Sequence, residues 1–301
     1  MLDSLCAQTL SQSLWKLVIV DNGSTDETGT ILGAYRDRLP MVILSEQKPG
    51  KNRALNLARA EATGDLVIFS DDDVIFPKDW LEIHRQVAHS NPEFDIFGGP
   101  IHPRWPETPQ EWILKHVPLG TVFAITEGAV TEGECSIGVV WGANFSVRKT
   151  VLDRFGPLPE NIGPSGSQYA MGSESAFLYR LAENGHRSFF VNQAAVGHVI
   201  RPNQLERSWI LERAQRFGRG QSRLTFEKNG PVTELLGLPR WILPKCMAAL
   251  FGRFTTHEST RFKAEWDFNY ALGYVCEYRI CKRELGRQEV VESSDINSSN
   301  V

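Results

Sequence analysis

Three short apolar runs stand out in the first seventy residues of the chain. They cover residues 17–20, 41–44 and 66–69, and each is followed by polar or turn-forming residues. Runs of this length without polar interruptions are typical of strands that are buried on both faces. We therefore predict three parallel strands in this part of the chain.

Amphipathic segments separate these runs. Ser24 and Glu27 have the spacing of a capping box, which predicts a helix from there towards Leu39, with Pro40 as its stop. A second helix fits residues 52–62, with Gly64 suited to its carboxyl-terminal cap. Alternating strands and helices predict an α/β fold, with a mostly parallel sheet covered by helices on both faces.

The remaining pattern divides the chain further. We expect a loop-rich insertion at residues 100–140, because prolines and tryptophans interrupt the periodicity there. The other predicted elements are helices at 78–89, 173–183, 205–227 and 262–284, and strands at 95–99, 141–147 and 189–191. The predicted boundaries are a catalytic-type α/β domain at 1–228, a helical extension at 229–287 and a disordered polar tail at 288–301.

Composition and charge exclude several classes of protein. The net charge of −4 over 301 residues gives no basic field, so nucleic acid is not an expected partner. Five scattered cysteines form no zinc-like spacing and fit reduced thiols in a cytoplasmic protein. The sequence shows no bilayer-spanning run and no secretion signal.

The third apolar run ends at three consecutive carboxylates, Asp71, Asp72 and Asp73. Open α/β sheets bind ligands at the carboxyl ends of their strands. Adjacent carboxylates repel one another unless a cation lies between them, and oxygen ligands suit magnesium or manganese. A divalent metal next to a nucleoside diphosphate is one interpretation of the triplet; a solvated acidic turn is the other.

Four segments in order resemble family 2 glycosyltransferases, which have the GT-A (Rossmann-like) fold. They are Val20-Asp21-Asn22-Gly23-Ser24, Gly50-Lys51-Asn52-Arg53-Ala54-Leu55-Asn56, Gly64-Asp65 and Phe69-Ser70-Asp71-Asp72-Asp73. The resemblance covers most of the chain. It implies an enzyme that uses a nucleotide-sugar donor and a Mn²⁺ or Mg²⁺ cofactor.

The resemblance also implies roles for individual residues. The implied donor-binding residues are Asp21, Asn22, Lys51, Asp71 and Asp72, and the implied metal ligands are Asp73 and His198. Each has a simpler explanation: a turn carboxylate for Asp21, a surface cation for Lys51, and a structural imidazole for His198.

Glu174 occupies the position of the family's general base. In Met171-Gly172-Ser173-Glu174, Ser173 replaces the usual first acid, and Glu174 is one methylene longer than the usual aspartate. A carboxylate there can accept the proton of an acceptor hydroxyl as it attacks the anomeric carbon. The alternative is that Glu174 only adds negative charge to the first turn of its helix.

Sugars stack on aromatic rings, so Trp105 and Trp141, together with Gly142, are candidates for acceptor binding. The segment from residue 240 to 254 combines aromatic and basic residues, as peripheral membrane segments do, although a helix packed on the protein gives the same pattern. We therefore expect a metal-dependent, inverting transferase in the cytoplasm or at the inner membrane face, with a glycan or lipid-linked acceptor. The alternatives are a catalytically impaired nucleotide-sugar binder and a nucleotidyltransferase.

The first helix of the resemblance falls at the very start of the sequence, at Leu2-Asp3-Ser4-Leu5. Family members have an apolar strand and a Pro-containing loop before this helix, and that strand lies centrally in the sheet. We expect an upstream segment of roughly 10 to 20 residues to supply it. Without it, backbone groups inside the sheet would be unpaired.

Overall fold

The computed structural model describes residues 1–166, 169–235, 237–252, 254–255 and 257–298, with side chains described as far as residue 287. The chain forms two compact units. The first unit comprises Met1–Gly166 and Ser173–Leu205, and the second comprises Ser167–Gly172 and Glu206–Val301.

The first unit begins with the alternation of strands and helices that the sequence predicts. Its first elements are α1 (Leu2–Cys6), β1 (Leu17–Asp21), α2 (Thr28–Tyr35), β2 (Met41–Ser45), α3 (Lys51–Glu61), β3 (Leu66–Ser70), β4 (Val74–Ile75), α4 (Trp80–Ser90) and β5 (Ile96–Gly98). The elements that follow are β6 (Ile101–Arg104), α5 (Glu111–His116), α6 (Leu119–Phe123), β7 (Gly133–Cys135), β8 (Asn144–Arg148), α7 (Lys149–Phe155), α8 (Ser173–Glu183), β9 (Ser188–Phe190) and β10 (Val196–Val199).

The strands form sheets of mixed direction. β1 and β2 pair in parallel as a two-stranded sheet, and the larger sheet has the order β3-β8-β5-β9-β7. β8 runs antiparallel to both β3 and β5, whereas β5 and β9 are parallel. The α/β class is confirmed, but the strands are less uniformly parallel than the sequence predicts. The chain enters β8 after the long insertion, and β8 therefore runs in the direction opposite to β3 and β5.

Two apolar clusters hold the first unit together. The alternating side chains of β3 divide between them: Leu66 and Ile68 pack with the cluster that contains Leu5 and Trp80, and Val67 and Phe69 belong to the cluster that contains Phe145. Successive side chains of a strand point to opposite faces. The clusters therefore lie on opposite sides of β3.

Two local predictions need correction. The helix after β1 begins at Thr28, not at Ser24: the side chain of Asp21 accepts the N–H of Ser24 at 2.8 Å, and Asp26 accepts the N–H of Thr28 at 3.0 Å. Asx turns therefore replace the expected capping box. The region 100–140 is also more structured than expected, because buried Ile113 anchors one of its short elements.

In the second unit, two long helices pack closely. Its elements are α9 (Arg207–Asn229), β11 (Glu234–Leu235), β12 (Leu238–Pro239), α10 (Ile242–Gly252) and α11 (Glu258–Ser298). A Cβ on Gly218 of α9 would lie 2.0 Å from the Tyr270 carbonyl oxygen, and one on Gly273 of α11 would lie 1.9 Å from that of Gln215. The backbones approach so closely that only glycine fits at these two positions.

The arginines of α9 pair with acids of α11. Arg207 contacts Glu265 at 2.7 Å, and Arg219 contacts Glu277 at 3.2 Å. Arg223 also pairs with Glu277, at 2.5 Å. The basic face of this helix is thus engaged in ion pairs within its own unit. No helix in the described ranges is long and apolar enough to cross a membrane.

The end of the chain differs from the sequence-based expectation in one respect. The sequence predicts a disordered tail at 288–301, whereas α11 continues to Ser298. Residues 299–301 lie outside the described part of the chain, and the proposed domain boundaries stay a prediction.

Candidate active site

The carboxylate triplet lies at the carboxyl end of β3, as the sequence predicts. Asp72 is exposed, whereas Asp71 and Asp73 are half-buried. β4 follows directly and pairs antiparallel with β10, which places His198 opposite Val74. This pairing brings a histidine from a distant part of the chain next to Asp73.

Lys51, the first residue of α3, lies between two carboxylates. Its Nζ contacts Asp71 Oδ1 at 2.6 Å and also contacts Glu174 Oε1. Glu174 comes from the first turn of α8, and the hydroxyl of buried Ser173 donates to its other oxygen. The predicted base and one predicted donor-binding acid therefore share a single cation.

This arrangement sets the charge of each group. Burial alone would lower the pKa of Lys51, but the carboxylates of Asp71 and Glu174 outweigh burial and raise it, so the lysine is charged. Burial would raise the pKa of Glu174, but Lys51 outweighs that effect and holds this pKa below its usual value. Glu174 is therefore an ionised carboxylate at neutral pH, the form that a general base requires.

Asp73 and His198 form a second pair. His198 Nε2 lies 3.2 Å from Asp73 Oδ1, and Nδ1 lies 2.7 Å from the Phe123 carbonyl oxygen. Burial would lower the pKa of His198, but Asp73 raises it; likewise burial would raise the pKa of Asp73, but His198 holds it below its usual value.

This pair also fits as two ligands of one metal ion. The Phe123 carbonyl fixes the hydrogen on Nδ1, which directs the lone pair of a neutral Nε2 towards Asp73. Asp73 Oδ1 is buried and accepts no hydrogen bond from the described residues. Neighbouring ligands about 2.1 Å from an octahedral ion are about 3.0 Å apart, close to the observed 3.2 Å.

Two protein ligands do not make a complete metal site. Among the residues that the structure describes, no group of three or more His, Cys, Asp or Glu side chains could hold a metal ion. An ion bound here would therefore take its other ligands from water and from a bound diphosphate, as Mg²⁺ commonly does.

Asp21 and Asn22 both make local contacts after β1. Asp21 accepts the N–H of Ser24, and hydrogen bonding from the Ser24 side chain, together with this backbone bond, holds the pKa of Asp21 below its usual value. Asn22 donates to the carbonyl oxygens of Glu46 and Lys48 at 2.7 and 2.8 Å and accepts the N–H of Gly50 at 2.8 Å. These contacts position the loop, and the predicted donor contacts of both residues stay a prediction.

Two of the three candidates for acceptor binding lie near one of these pairs, Trp105 near His198 and Gly142 next to Glu174. Trp105 stacks edge-to-face on Phe123, with ring centroids 5.3 Å apart, and the carbonyl of Phe123 contacts His198. Trp141 is half-buried. Gly142 has the most direct contact with the site. A Cβ there would lie only 2.8 Å from Glu174 Cδ, so the absence of a side chain at Gly142 makes room for the Glu174 carboxylate.

Sequence reasoning missed two features of the site. It gave Lys51 as a donor-binding residue but did not predict the ion pairs that Lys51 makes with Asp71 and Glu174. It treated Ser173 only as the loss of an acid, whereas its hydroxyl holds Glu174. A single lysine among several carboxylates in the motifs is a sequence signal that could have predicted the pairing of Lys51.

Comparison with known proteins matches this picture. The family model described as "Glycosyl transferase family 2" matches residues 1–156. Glucosyl-dolichyl phosphate glucuronosyltransferase of Haloferax volcanii is 25% identical over 226 residues, which are 73% of this chain and 69% of that protein. Glycosyltransferase AglE of the same organism is 25% identical over 80% of this chain and 74% of its own.

Two solved structures share the fold. TarS 1–349 of S. aureus in complex with UDP has a TM-score of 0.52 and 19% identity, covering 91% of this chain and 85% of that one. Mannosyltransferase PcManGT of Pyrobaculum calidifontis, in complex with GDP-Man and Mn²⁺, has a TM-score of 0.55 and 17% identity, covering 96% and 74%. The family match extends over half of the chain, and the fold agrees with it. The chain therefore belongs to glycosyl transferase family 2 and is a glycosyltransferase with the GT-A fold.

Proposed function

We propose that the protein is a metal-dependent, inverting glycosyltransferase that moves a sugar from a nucleoside diphosphate sugar to a hydroxyl group of a glycan or lipid-linked acceptor. The observation that carries this proposal is the shared ion pair of Lys51 with Asp71 and Glu174, next to the pair of Asp73 and His198. In this proposal Glu174, paired with Lys51, is the ionised base, and Asp73 and His198 are metal ligands at the end of a strand.

Each group has a defined task in this proposal. The acceptor oxygen attacks the anomeric carbon, its proton passes to Glu174, and the bond from the anomeric carbon to the diphosphate oxygen breaks, with its electron pair leaving on the diphosphate. Asp73 and His198 would hold a Mn²⁺ or Mg²⁺ ion, which when bound stabilises negative charge on the departing diphosphate. A single displacement inverts the anomeric centre.

The names of the relatives favour a lipid-linked acceptor. Two curated relatives are named as transferases acting on glucosyl-dolichyl phosphate and undecaprenyl-phosphate.

Helix α10 is consistent with an acceptor at a membrane. Its buried residue Ile242 packs against α11, whereas Met247, Phe251 and the following Phe254 are 54%, 72% and 87% exposed. Residues 237–257 contain Arg240, Lys245 and Arg253 but no Asp or Glu. An apolar face next to positive charge suits an anionic membrane surface, and we include peripheral membrane binding in the proposal.

The test of the reaction is direct. UDP- and GDP-sugars are incubated with the protein, a lipid-linked or glycan acceptor, and Mn²⁺, Mg²⁺ or EDTA. We expect a nucleoside diphosphate, metal-dependent turnover and a product of inverted configuration. Release of pyrophosphate would instead identify a nucleotidyltransferase. Tight donor binding without turnover of any donor would identify the non-catalytic binder.

The membrane part is tested separately, by sedimentation with anionic or neutral phospholipid vesicles. We expect binding to the anionic vesicles and its loss in Phe251→Ser. Leu272→Ser is the matched control, because Leu272 is also an exposed apolar residue (43%) but belongs to α11. Equal binding of both variants would exclude α10 as the contact.

A further inference from the structure

The Glu174 side chain is held from three directions. Lys51 contacts Oε1, and the Ser173 hydroxyl donates to Oε2. Gly142 lies so close to the carboxylate that a Cβ there would be 2.8 Å from Cδ. A carboxylate has about four lone-pair sites, so these two protein donors leave room for the hydroxyl of an acceptor.

Ser173 begins α8 in an enclosed position. It is 2% exposed, and a Cβ on Gly163 would lie 2.7 Å from its Cβ and 3.3 Å from its Oγ. Gly163 has a φ of 105°, in the range that favours glycine. The position therefore requires a small side chain, and alanine would meet that requirement as well as serine does. Size alone does not explain the hydroxyl.

A second acceptor lies close to this hydroxyl. The place that a Cβ on Gly163 would occupy is 3.3 Å from Ser173 Oγ and 3.7 Å from Asn52 Oδ1. Asn52 is buried, and its Oδ1 accepts no hydrogen bond from the residues that the structure describes. A hydroxyl has one hydrogen to donate. Here that hydrogen goes to Glu174, and a buried amide oxygen stays unpaired.

Charge explains why the hydroxyl donates to Glu174. Burial would raise the pKa of Glu174, but Lys51 and then the Ser173 hydroxyl lower it, so the carboxylate is ionised. The Asn52 amide is neutral. A hydrogen bond to an ionised acceptor is about twice as strong as one between neutral groups. The Ser173 hydroxyl therefore stabilises the form of Glu174 that can accept a proton.

The other charged groups that act on Glu174 come from α3 and β3. Lys51 of α3 favours the ionised carboxylate, whereas Asp71 of β3, which contacts the same ammonium, repels it. Lys51 contacts Oε1, so it is the Ser173 hydroxyl that orients Oε2. Without this hydroxyl, the ammonium alone would hold the carboxylate, at one of its two oxygens.

We propose that Ser173 is a positioning residue for the base, whose hydroxyl holds the Glu174 carboxylate in the orientation in which it takes the proton of the acceptor. This inference rests on the proposed function, in which Glu174 is that base. Ser173 acts through Glu174 and takes no proton itself. Its contribution should therefore appear in the rate of transfer and in the proton affinity of Glu174, and not in donor binding.

The test compares two variants of Ser173 with one control. Ser173→Ala removes the hydroxyl, and Ser173→Cys replaces it with a thiol, which is only a weak donor. Ser188→Ala is the matched control, because Ser188 is also buried, at 5% exposure, and its hydroxyl donates to the Cys135 carbonyl at 2.7 Å. It shows what the loss of a buried hydroxyl does to stability alone.

Four quantities are measured for each protein: kcat, the donor Kd, the melting temperature and the pKa of Glu174. The pKa comes from NMR titration of ¹³C-labelled carboxylates, and the Glu174 signal is assigned by its absence in Glu174→Gln. We expect Ser173→Ala to lower kcat by about tenfold and to raise the pKa of Glu174 by about one unit or more, with an unchanged donor Kd. Ser173→Cys should change both quantities in the same direction, and Ser188→Ala should change neither.

Two results would overturn the inference while leaving the proposed function intact. One is a kcat near that of the unmodified protein, or an unshifted pKa of Glu174, in both variants of Ser173. The other is an equal fall in kcat in Ser188→Ala at the same loss of melting temperature, because the hydroxyl would then act only through stability. Absence of turnover in the unmodified protein would overturn the proposed function and this inference with it.

Discussion

Gly142→Ala should displace the proposed base without disturbing the fold. The new Cβ would lie 2.8 Å from Glu174 Cδ and 3.0 Å from Oε1, closer than real Cβ contacts. Gly142 has no positive φ, so alanine fits its backbone. The atoms that must move are the end of a flexible side chain, and reaching an ordinary contact of 3.4 Å requires a shift of about 0.6 Å or more.

A shift of this size acts on the chemistry rather than on stability. It displaces the carboxylate from the position in which it contacts Lys51 and would deprotonate an acceptor hydroxyl. Misplacement of a catalytic group by about 1 Å can cost about 10²-fold in rate. We expect kcat to fall by about that factor, and both the donor Kd and the melting temperature to stay near those of the unmodified protein.

The assay is release of nucleoside diphosphate under saturating donor, with calorimetry for donor binding. Gly29→Ala is the control, because a Cβ at Gly29 in α2 meets nothing within 4 Å. Glu174→Asp should partly rescue Gly142→Ala, since the shorter acid vacates the space that the Cβ needs. An unchanged kcat in Gly142→Ala, or the absence of any coupling in the double variant, would refute this account of Glu174.

Three further predictions follow from the same structure. Glu174→Gln should leave donor affinity intact and lower transfer by about 10²- to 10⁴-fold; near-normal turnover would assign the base elsewhere. Asp73→Asn should abolish the increase in nucleotide affinity that Mn²⁺ causes, with an unchanged melting temperature; an unchanged metal effect in calorimetry would exclude Asp73 as a ligand. Burial lowers the pKa of His84 from 6.5 to about 4. As the pH falls, the unfolded chain therefore binds a proton at this histidine before the folded chain does. The free energy of unfolding should decrease by up to about 3 kcal/mol as the pH falls from 6.5 towards 4. In urea titrations, His84→Asn should remove this pH dependence of the free energy of unfolding, whereas the exposed control His89→Asn should keep it. If the free energy of unfolding changes equally with pH in both variants, His84 is not the group responsible.

Local sequence signals were sufficient for the elements that frame the site. The apolar runs of β1 and β3 and the periodicity of α3 are properties of consecutive residues, and α8 begins and ends where the sequence predicts, at Ser173 and Glu183. Elements of three to six residues inside the 100–140 insertion were beyond such signals. Segments this short are not stable alone, and buried residues such as Val122 and Phe123 fix them through contacts with the rest of the unit.

The site shows the same division between local and distant information. Local motifs placed the carboxylates at a strand end, and the structure confirms that position. Motifs could not show that Lys51 bridges Asp71 and Glu174, because the bridge depends on how α3, β3 and α8 pack. The antiparallel pairing of β4 with β10, which brings His198 to Asp73, is a distant relation of the same kind.

The first turn of α3 joins these distant parts. Gly50, with a φ of 149° that favours glycine, donates to Asn22 at the end of β1, and the backbone N–H of Lys51 donates to the Pro164 carbonyl. Asn52 is buried and donates to the carbonyls of Pro159 and Ile162.

Gly50 and the first two residues of α3 therefore hold the loop after β1, the loop before α8 and, through the Lys51 side chain, the carboxylates of β3 and α8. A diphosphate that drew the Lys51 ammonium towards itself would weaken its contact with Glu174 and so raise the proton affinity of that carboxylate. In the proposed function, donor binding and base strength would thus be linked through one side chain. This linkage gives a physical reason for a lysine at the start of α3, since an uncharged residue there would leave two neighbouring carboxylates to repel each other.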